Sequence, residues 1–138
     1  QTGILPPKAK VSRGAAYADY DNDGALDILV TNLYDSPDLL RNDEGNQGTW
    51  LILKLVGTRS NRDAIGARVK VTTGDTAQIR EVRSGSSYLS QSDMRLHFGL
   101  GQHERIELVE IQWPSGLKER LENITANQIL TIIEGKNR

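Results

Sequence analysis

Apolar residues in this chain recur at every second position, in short runs separated by turn residues. A two-residue period sends alternate side chains to opposite faces, so it argues for half-buried strands and against helices. Such runs occupy Arg13–Tyr20, Leu26–Thr31, Ala67–Thr72, Ala77–Arg83, Arg95–Phe98, Glu107–Trp113, Leu117–Leu121 and Gln128–Glu134. In Leu26–Thr31, the residues Leu26, Ile28 and Val30 share one face. In Ala67–Thr72, Ala67, Val69 and Val71 face inward, against outward Arg68 and Lys70. Trp50–Val56 is apolar on both faces and reads as a central strand. Thr73–Gly74–Asp75 and Pro114–Ser115–Gly116 read as turns. Trp50 and Trp113 read as core anchors of facing strands. Helix is expected only as single turns near Gly101–Arg105 and Asn123–Asn127. So many short strands predict an all-β fold, an antiparallel β-sandwich or barrel of about seven strands in the second half of the chain.

Leu33–Gly48 breaks the pattern. It is polar and turn-rich (Asp35, Ser36, Pro37, then Asn42, Asp43, Glu44, Gly45), with Leu39 and Leu40 as one apolar anchor. A module boundary is therefore expected near Asn46–Gly48, dividing the chain into 1–46 and 47–138. Two strands and a loop do not close a core, because an isolated hairpin is marginal in water. The first module is expected to pack against the second or to pair with chain outside this sequence. The edge of Arg13–Tyr20 is expected to be open to pairing with another copy.

Composition narrows the function. Hydrophobic residues are 37% and charged residues 25%, the balance of a soluble globular protein. No apolar run approaches the roughly 18 residues of a membrane span, so membrane insertion is not expected. Gln1–Val11 has neither an initiator Met nor the apolar stretch of a secretory leader, and the chain reads as a piece of something longer. The absence of cysteine excludes disulfides, a thiol nucleophile and thiolate zinc sites. The net charge of −1 is unevenly spread: residues 1–45 hold eight acids against four bases, and residues 46–138 ten acids against thirteen bases. The bases alternate with apolar residues instead of clustering. They read as solvated sheet faces, and a nucleic-acid partner is not expected.

The acidic excess is concentrated in Asp19-Tyr20-Asp21-Asn22-Asp23-Gly24-Ala25-Leu26-Asp27, with carboxylates at positions 1, 3, 5 and 9. Calcium takes six to eight hard oxygen ligands. Alternate side chains of a tight loop converge, so Asp19, Asp21 and Asp23 can meet one ion. Gly24 permits the return of the chain, Ala25 offers its carbonyl, and Asp27 closes the site. An EF-hand needs a bidentate Glu at position 12 and flanking helices. Position 12 here is Val30, and both flanks read as strands. The competing interpretation is a solvated turn that binds nothing, but a turn does not need four acids at this spacing.

A strand–acidic loop–strand unit resembles an FG-GAP (VCBS) repeat, the building block of β-propellers. Arg13-Gly14-Ala15-Ala16, the loop itself and Ile28–Asn32 look like the last such repeat, and Leu39-Leu40-Arg41-Asn42 like its closing strand and turn. From Trp50 onward the chain resembles an ASPIC/UnbV domain of the cartilage acidic protein-like family. The motifs that carry this are Ser60–Val69, Tyr88–Asp93, Leu96–Gly101, Trp113–Gly116 and Ala126–Gln128. The resemblance implies a partial β-propeller blade with a calcium loop, an upstream propeller of the same chain as partner, a β domain after it, and secretion to an extracellular or periplasmic location. It implies no reaction.

Three further sets of residues are candidates for chemistry. His97 alternates with Leu96 and Phe98, and no nucleophile motif accompanies it or His103, so no enzyme is expected. Asn61 and Arg62 form a candidate recognition loop for a carboxylate or sugar; the plainer interpretation is a self-bracing loop. Ser84–Asp93 is strongly polar around Tyr88, and Tyr88, Ser90 and Gln91 are candidates for binding a glycan. The expected function is a calcium-binding structural or interaction module with Ca²⁺ as cofactor and a protein or glycan ligand. The alternative is a carbohydrate-binding or adhesion module built on Ser84–Asp93.

Overall fold

A computed structural model describes residues 9–43, 45 and 47–136. Residues 1–8 at the start of Gln1–Val11 lie outside the described residues, as do Glu44 and Asn46 of the polar connection. The described residues form ten strands and no helix. Among the described residues, no helix is long and apolar enough to cross a membrane. The chain divides into two compact units. One comprises Gln1–Gln47 and Ser84–Asp93, the other Gly48–Arg83 and Met94–Arg138. The break after Gln47 falls within the expected connection. The return of Ser84–Asp93 to the first unit is not visible in the sequence.

The first unit is built on strands β1 (Ser12–Ala18), β2 (Asp27–Asn32) and β3 (Asp35–Leu40), antiparallel in the order β1-β2-β3. The third strand falls in the stretch read as turn. Pro37 has no N–H for a ladder, and β3 accommodates it at the sheet edge. Polar side chains pin this hairpin: Lys10 Nζ reaches Asp38 Oδ1 at 2.7 Å and Asn32 Nδ2 reaches Asp38 Oδ2 at 2.8 Å. Those two donors hold the Asp38 carboxyl below its usual range.

The expected apolar face of Leu26–Thr31 is only partly buried: Leu26 and Val30 are half-buried and Ile28 is 38% exposed, and on the opposite face Leu29 is 43% exposed. Among the described residues of this unit, Ala25 is the one buried hydrophobic side chain, and Asp19, Asp27 and Ser92 are the buried polar ones. The outer edge of β1 is not open either. Ser87 Oγ accepts from the Ala15 N–H and Ser92 Oγ from the Tyr17 N–H, both at 3.3 Å. The Asp93 N–H then donates to the Tyr17 carbonyl at 2.9 Å. Hydroxyls thus do what a neighbouring strand would do, and the edge is blunted against pairing with another copy.

The second unit holds seven strands: β4 (Thr49–Val56), β5 (Arg68–Thr73), β6 (Thr76–Glu81), β7 (Leu96–Gly101), β8 (Arg105–Gln112), β9 (Lys118–Thr125) and β10 (Gln128–Ile133). They make two sheets, β10-β4-β7 and β6-β5-β8-β9, which do not close into a barrel. Leu51, Leu53 and Phe98 from the first sheet pack with Val69, Val71, Val109 and Ile111 from the second, giving a sandwich-like core. β4 is central, as its two-sided apolar pattern predicts. Trp113 is 1% exposed and anchors the core, whereas Trp50 is only half-buried.

The unit is not purely antiparallel. β10 runs parallel to β4, from Gln128 opposite Leu51 to Ile133 opposite Val56. The cause is a tight passage from one sheet to the other after β9. Asn127 adopts φ 58, donates its N–H to the Trp50 carbonyl at 2.6 Å, and accepts from the Trp50 N–H through Oδ1 at 3.1 Å. Asparagine tolerates that left-handed backbone. No helical turn therefore forms at Asn123–Asn127. The other expected helical turn, Gly101–Arg105, is a strand-to-strand turn closed by His103 N–H to Leu100 O at 3.2 Å.

Candidate metal centre

β1 ends at Ala18 and delivers Asp19 into the loop; β2 begins with Asp27. Between them the chain reverses through Asn22 (φ 59) and Gly24 (φ 95), residue types suited to left-handed backbone. Asp19 braces the reversal. Its Oδ1 accepts from the Asp23 N–H at 3.1 Å and its Oδ2 from the Gly24 N–H at 3.0 Å. Asp27 ties both ends together, accepting from the Tyr20 N–H at 3.3 Å and the Asn42 N–H at 2.8 Å.

The outcome is convergence. Asp19, Asp21 and Asp27 place carboxylate oxygens within 4.8 Å of one another. Asp19 is 1% and Asp27 3% exposed, while Asp21 is open to solvent. Burying two carboxylates beside a third is costly without compensating positive charge. The converging donors are all carboxylate oxygens, which suits a hard divalent cation of the calcium type and not a nitrogen- or sulfur-seeking metal. Asp23 lies outside this trio; its Oδ1 accepts from the Ala25 N–H at 2.8 Å. Ala25 is buried in the loop beside it.

Two residues at this site were not singled out from the acidic spacing. Arg41 Nη2 stands 3.4 Å from Asp21 Oδ2, and its Nε is 2.7 Å from Asp43 Oδ1. Asp43, then Tyr20 and Asp21, raise the pKa of its guanidinium. Asn42 reaches Asp27 through its backbone, and its Nδ2 donates to the Leu26 carbonyl at 3.4 Å. Backbone donation carries no residue signature, so it left no trace in the sequence.

The candidate ligand-binding residues fall in different units. Asn61 braces its own loop: Nδ2 donates to Ile65 O at 2.9 Å, and Oδ1 accepts from Ile65 N–H at 2.8 Å. Arg62 is exposed beside it. In the first unit, Gln91 Oε1 accepts from Gly85 N–H at 2.6 Å, and Ser90 Oγ donates to Tyr88 O at 2.9 Å. Tyr88 is 62% and Leu89 91% exposed at the tip of that turn.

Glu134 forms the other concentrated polar site, and sequence reasoning passed over it as a strand-end acid. Only 2% exposed, it directs Oε2 at the backbone N–H groups of Thr58, Arg59 and Ser60, each at 2.8 Å. Its Oε1 accepts from the hydroxyls of Ser60 and Ser115. Burial pushes this carboxyl up, but the Ser115 hydroxyl and the three backbone donors outweigh it and hold the pKa at about 2. Nearby, Trp113 Nε1 donates to buried Glu119 Oε2 at 2.6 Å.

Residues 57–138 match the family model described as "ASPIC and UnbV". The chain belongs to the ASPIC and UnbV family. The match covers the Glu134 cage and every strand of the second unit except β4. Curated relatives extend the similarity upstream, across the acidic loop. Cartilage acidic protein 1 of Homo sapiens is 33% identical over 134 residues, covering 94% of this chain and 20% of that protein. The Mus musculus protein of that name is 32% identical over the same length, and the Xenopus tropicalis one 35% identical over 107 residues, 75% of this chain. The chain thus spans about a fifth of the two mammalian relatives.

Proposed function

We propose that this chain is a calcium-binding, extracytoplasmic structural and interaction module without catalytic activity. The observation that carries the reading is the convergence of Asp19, Asp21 and Asp27 within 4.8 Å, two of them buried, in a unit whose buried side chains are otherwise Ala25 and Ser92 among the described residues. A unit with so little apolar interior needs another source of cohesion, and an ion bound only in the folded state supplies it. Asp23 and the Ala25 carbonyl complete the ligand set once the ion draws the loop inward.

In this reading the first unit is the closing FG-GAP (VCBS) blade of a propeller. The exposed apolar side chains of its sheet support that: Tyr17 and Ile28 lie on one face and Leu29 and Leu39 on the other, surface that a neighbouring blade on each side would cover. The partner is then the upstream propeller of the same protein. Secretion accords with the similarity to cartilage acidic protein 1 and with calcium loops of the weak extracellular class, Kd on the order of 10⁻⁴–10⁻³ M.

The test is thermal and chemical unfolding with calcium or chelator. At about 10 mM calcium, an affinity of that class stabilises the fold by roughly 1.4–2.7 kcal/mol. The native chain gains that increment, and Asp21→Ala/Asp23→Ala does not. Identical melting in calcium and in chelator rejects the metal reading. A second reading, glycan binding at Ser84–Asp93, rests on exposed Tyr88 and Leu89; a glycan array with Tyr88→Ala as control decides it.

A further inference from the structure

Strand register gathers basic residues that the sequence leaves dispersed. On the outer face of β6-β5-β8-β9, Arg68 pairs across to Gln112 and on to Lys118, and Lys70 pairs across to Glu110 and on to Arg120. Arg68, Lys70 and Arg120 are 62%, 46% and 71% exposed, and Lys118 is exposed too. From strand spacing and rise, the four cations mark the corners of a rectangle about 10 Å across and about 7 Å along the strands. They rim an open groove of about 350 Å³.

Acids do not balance this face. Glu110 at its centre is shared by Lys70 at 3.5 Å and Arg120 at 3.0 Å, and Glu81 at its margin lies 3.9 Å from Arg68. Glu122, exposed on the same face of β9 two residues beyond Arg120, is a third acid outside the rectangle. Four cations therefore face three carboxylates. The groove has no aromatic side chain on which a nucleobase could stack. Its one strongly exposed apolar residue is Ile79, 62% exposed, without the buried anchor pocket that a protein partner uses. The guanidinium forks of Arg68 and Arg120 suit sulfate and carboxylate groups.

The geometry points to this sheet face as a docking surface for a linear polyanionic polysaccharide, one bearing sulfate or carboxylate groups at regular intervals. Its repeated charges meet the paired rows, while the Lys and Arg stems and Ile79 lie along the sugar backbone. This surface is separate from the acidic loop and does not depend on metal.

The test is binding of the whole chain to immobilised heparin over a range of salt concentrations, with neutral dextran, poly-glutamate and duplex DNA as comparisons. Lys70→Gln/Lys118→Gln removes two corners from an exposed face. Lys54→Gln/Lys136→Gln removes the same charge elsewhere, and circular dichroism establishes that both variants fold. Heparin binding is expected to fall about tenfold in the first variant, from two exposed charge contacts, and to stay unchanged in the second. The inference is overturned by no retention on heparin at low salt, by equal losses in both variants, or by poly-glutamate or DNA binding as tightly as heparin.

Discussion

Replacing Glu134 by Gln separates the charge of this buried carboxyl from its shape. Gln fits the cage: its oxygen can face the N–H groups of Thr58, Arg59 and Ser60, and its amide can donate to the hydroxyls of Ser60 and Ser115, which rotate to accept. What disappears is the preference of those donors for an anion. A carboxyl held at about 2 against an ordinary 4.5 favours the charged form by about 3 kcal/mol, with little solvent screening at 2% exposure. The folded pKa is the lower one, so the contribution is complete above about pH 4.5, wanes as pH falls, and is gone below about pH 2. Denaturant unfolding of the native chain and of Glu134→Gln at pH 7, 4 and 3 measures it. The variant is expected to be about 3 kcal/mol less stable at pH 7, with the gap closing steadily on acidification. A gap that stays constant between pH 7 and pH 3, or one below about 1 kcal/mol at neutral pH, would refute the reasoning that the anion organises the 57–66 loop.

Two other substitutions probe the second unit. Trp113→Phe keeps much of the core packing but leaves Glu119 without its indole donor; a loss of about 2–4 kcal/mol is expected in urea unfolding, and a loss under 1 kcal/mol would show that the buried bond contributes little. Asn127→Ala and Asn127→Gly both forfeit the bond to Trp50, but only glycine accepts φ 58 without strain, so the Ala variant should melt lower, by about 1–2 kcal/mol; the reverse order would show that backbone conformation does not govern this passage.

The period-two pattern determined the all-β character by itself, because alternation dictates which side chains share a face wherever a strand forms. It also identified the central strand, since only a strand covered on both faces can carry Leu51, Ile52 and Leu53 in succession. The acidic spacing identified the loop: Asp19, Asp21 and Asp27 do converge, and Asn22 and Gly24 are the residues its backbone demands. The polar start of β3 left no apolar period to read, because Lys10 and Asn32 hold it through Asp38; only its end, Leu39-Leu40, is expected as strand, from the family resemblance. Long-range facts needed the tertiary structure. The parallel pairing of β10 with β4 depends on which sheet the chain enters after Asn127. The blunted edge of β1 depends on hydroxyls more than seventy residues away in the chain. The role of Glu134 depends on backbone N–H groups, and the basic face on cross-strand register. Sequence records the side chain each residue owns; what a carboxylate or a strand edge meets is decided only when distant segments are brought together.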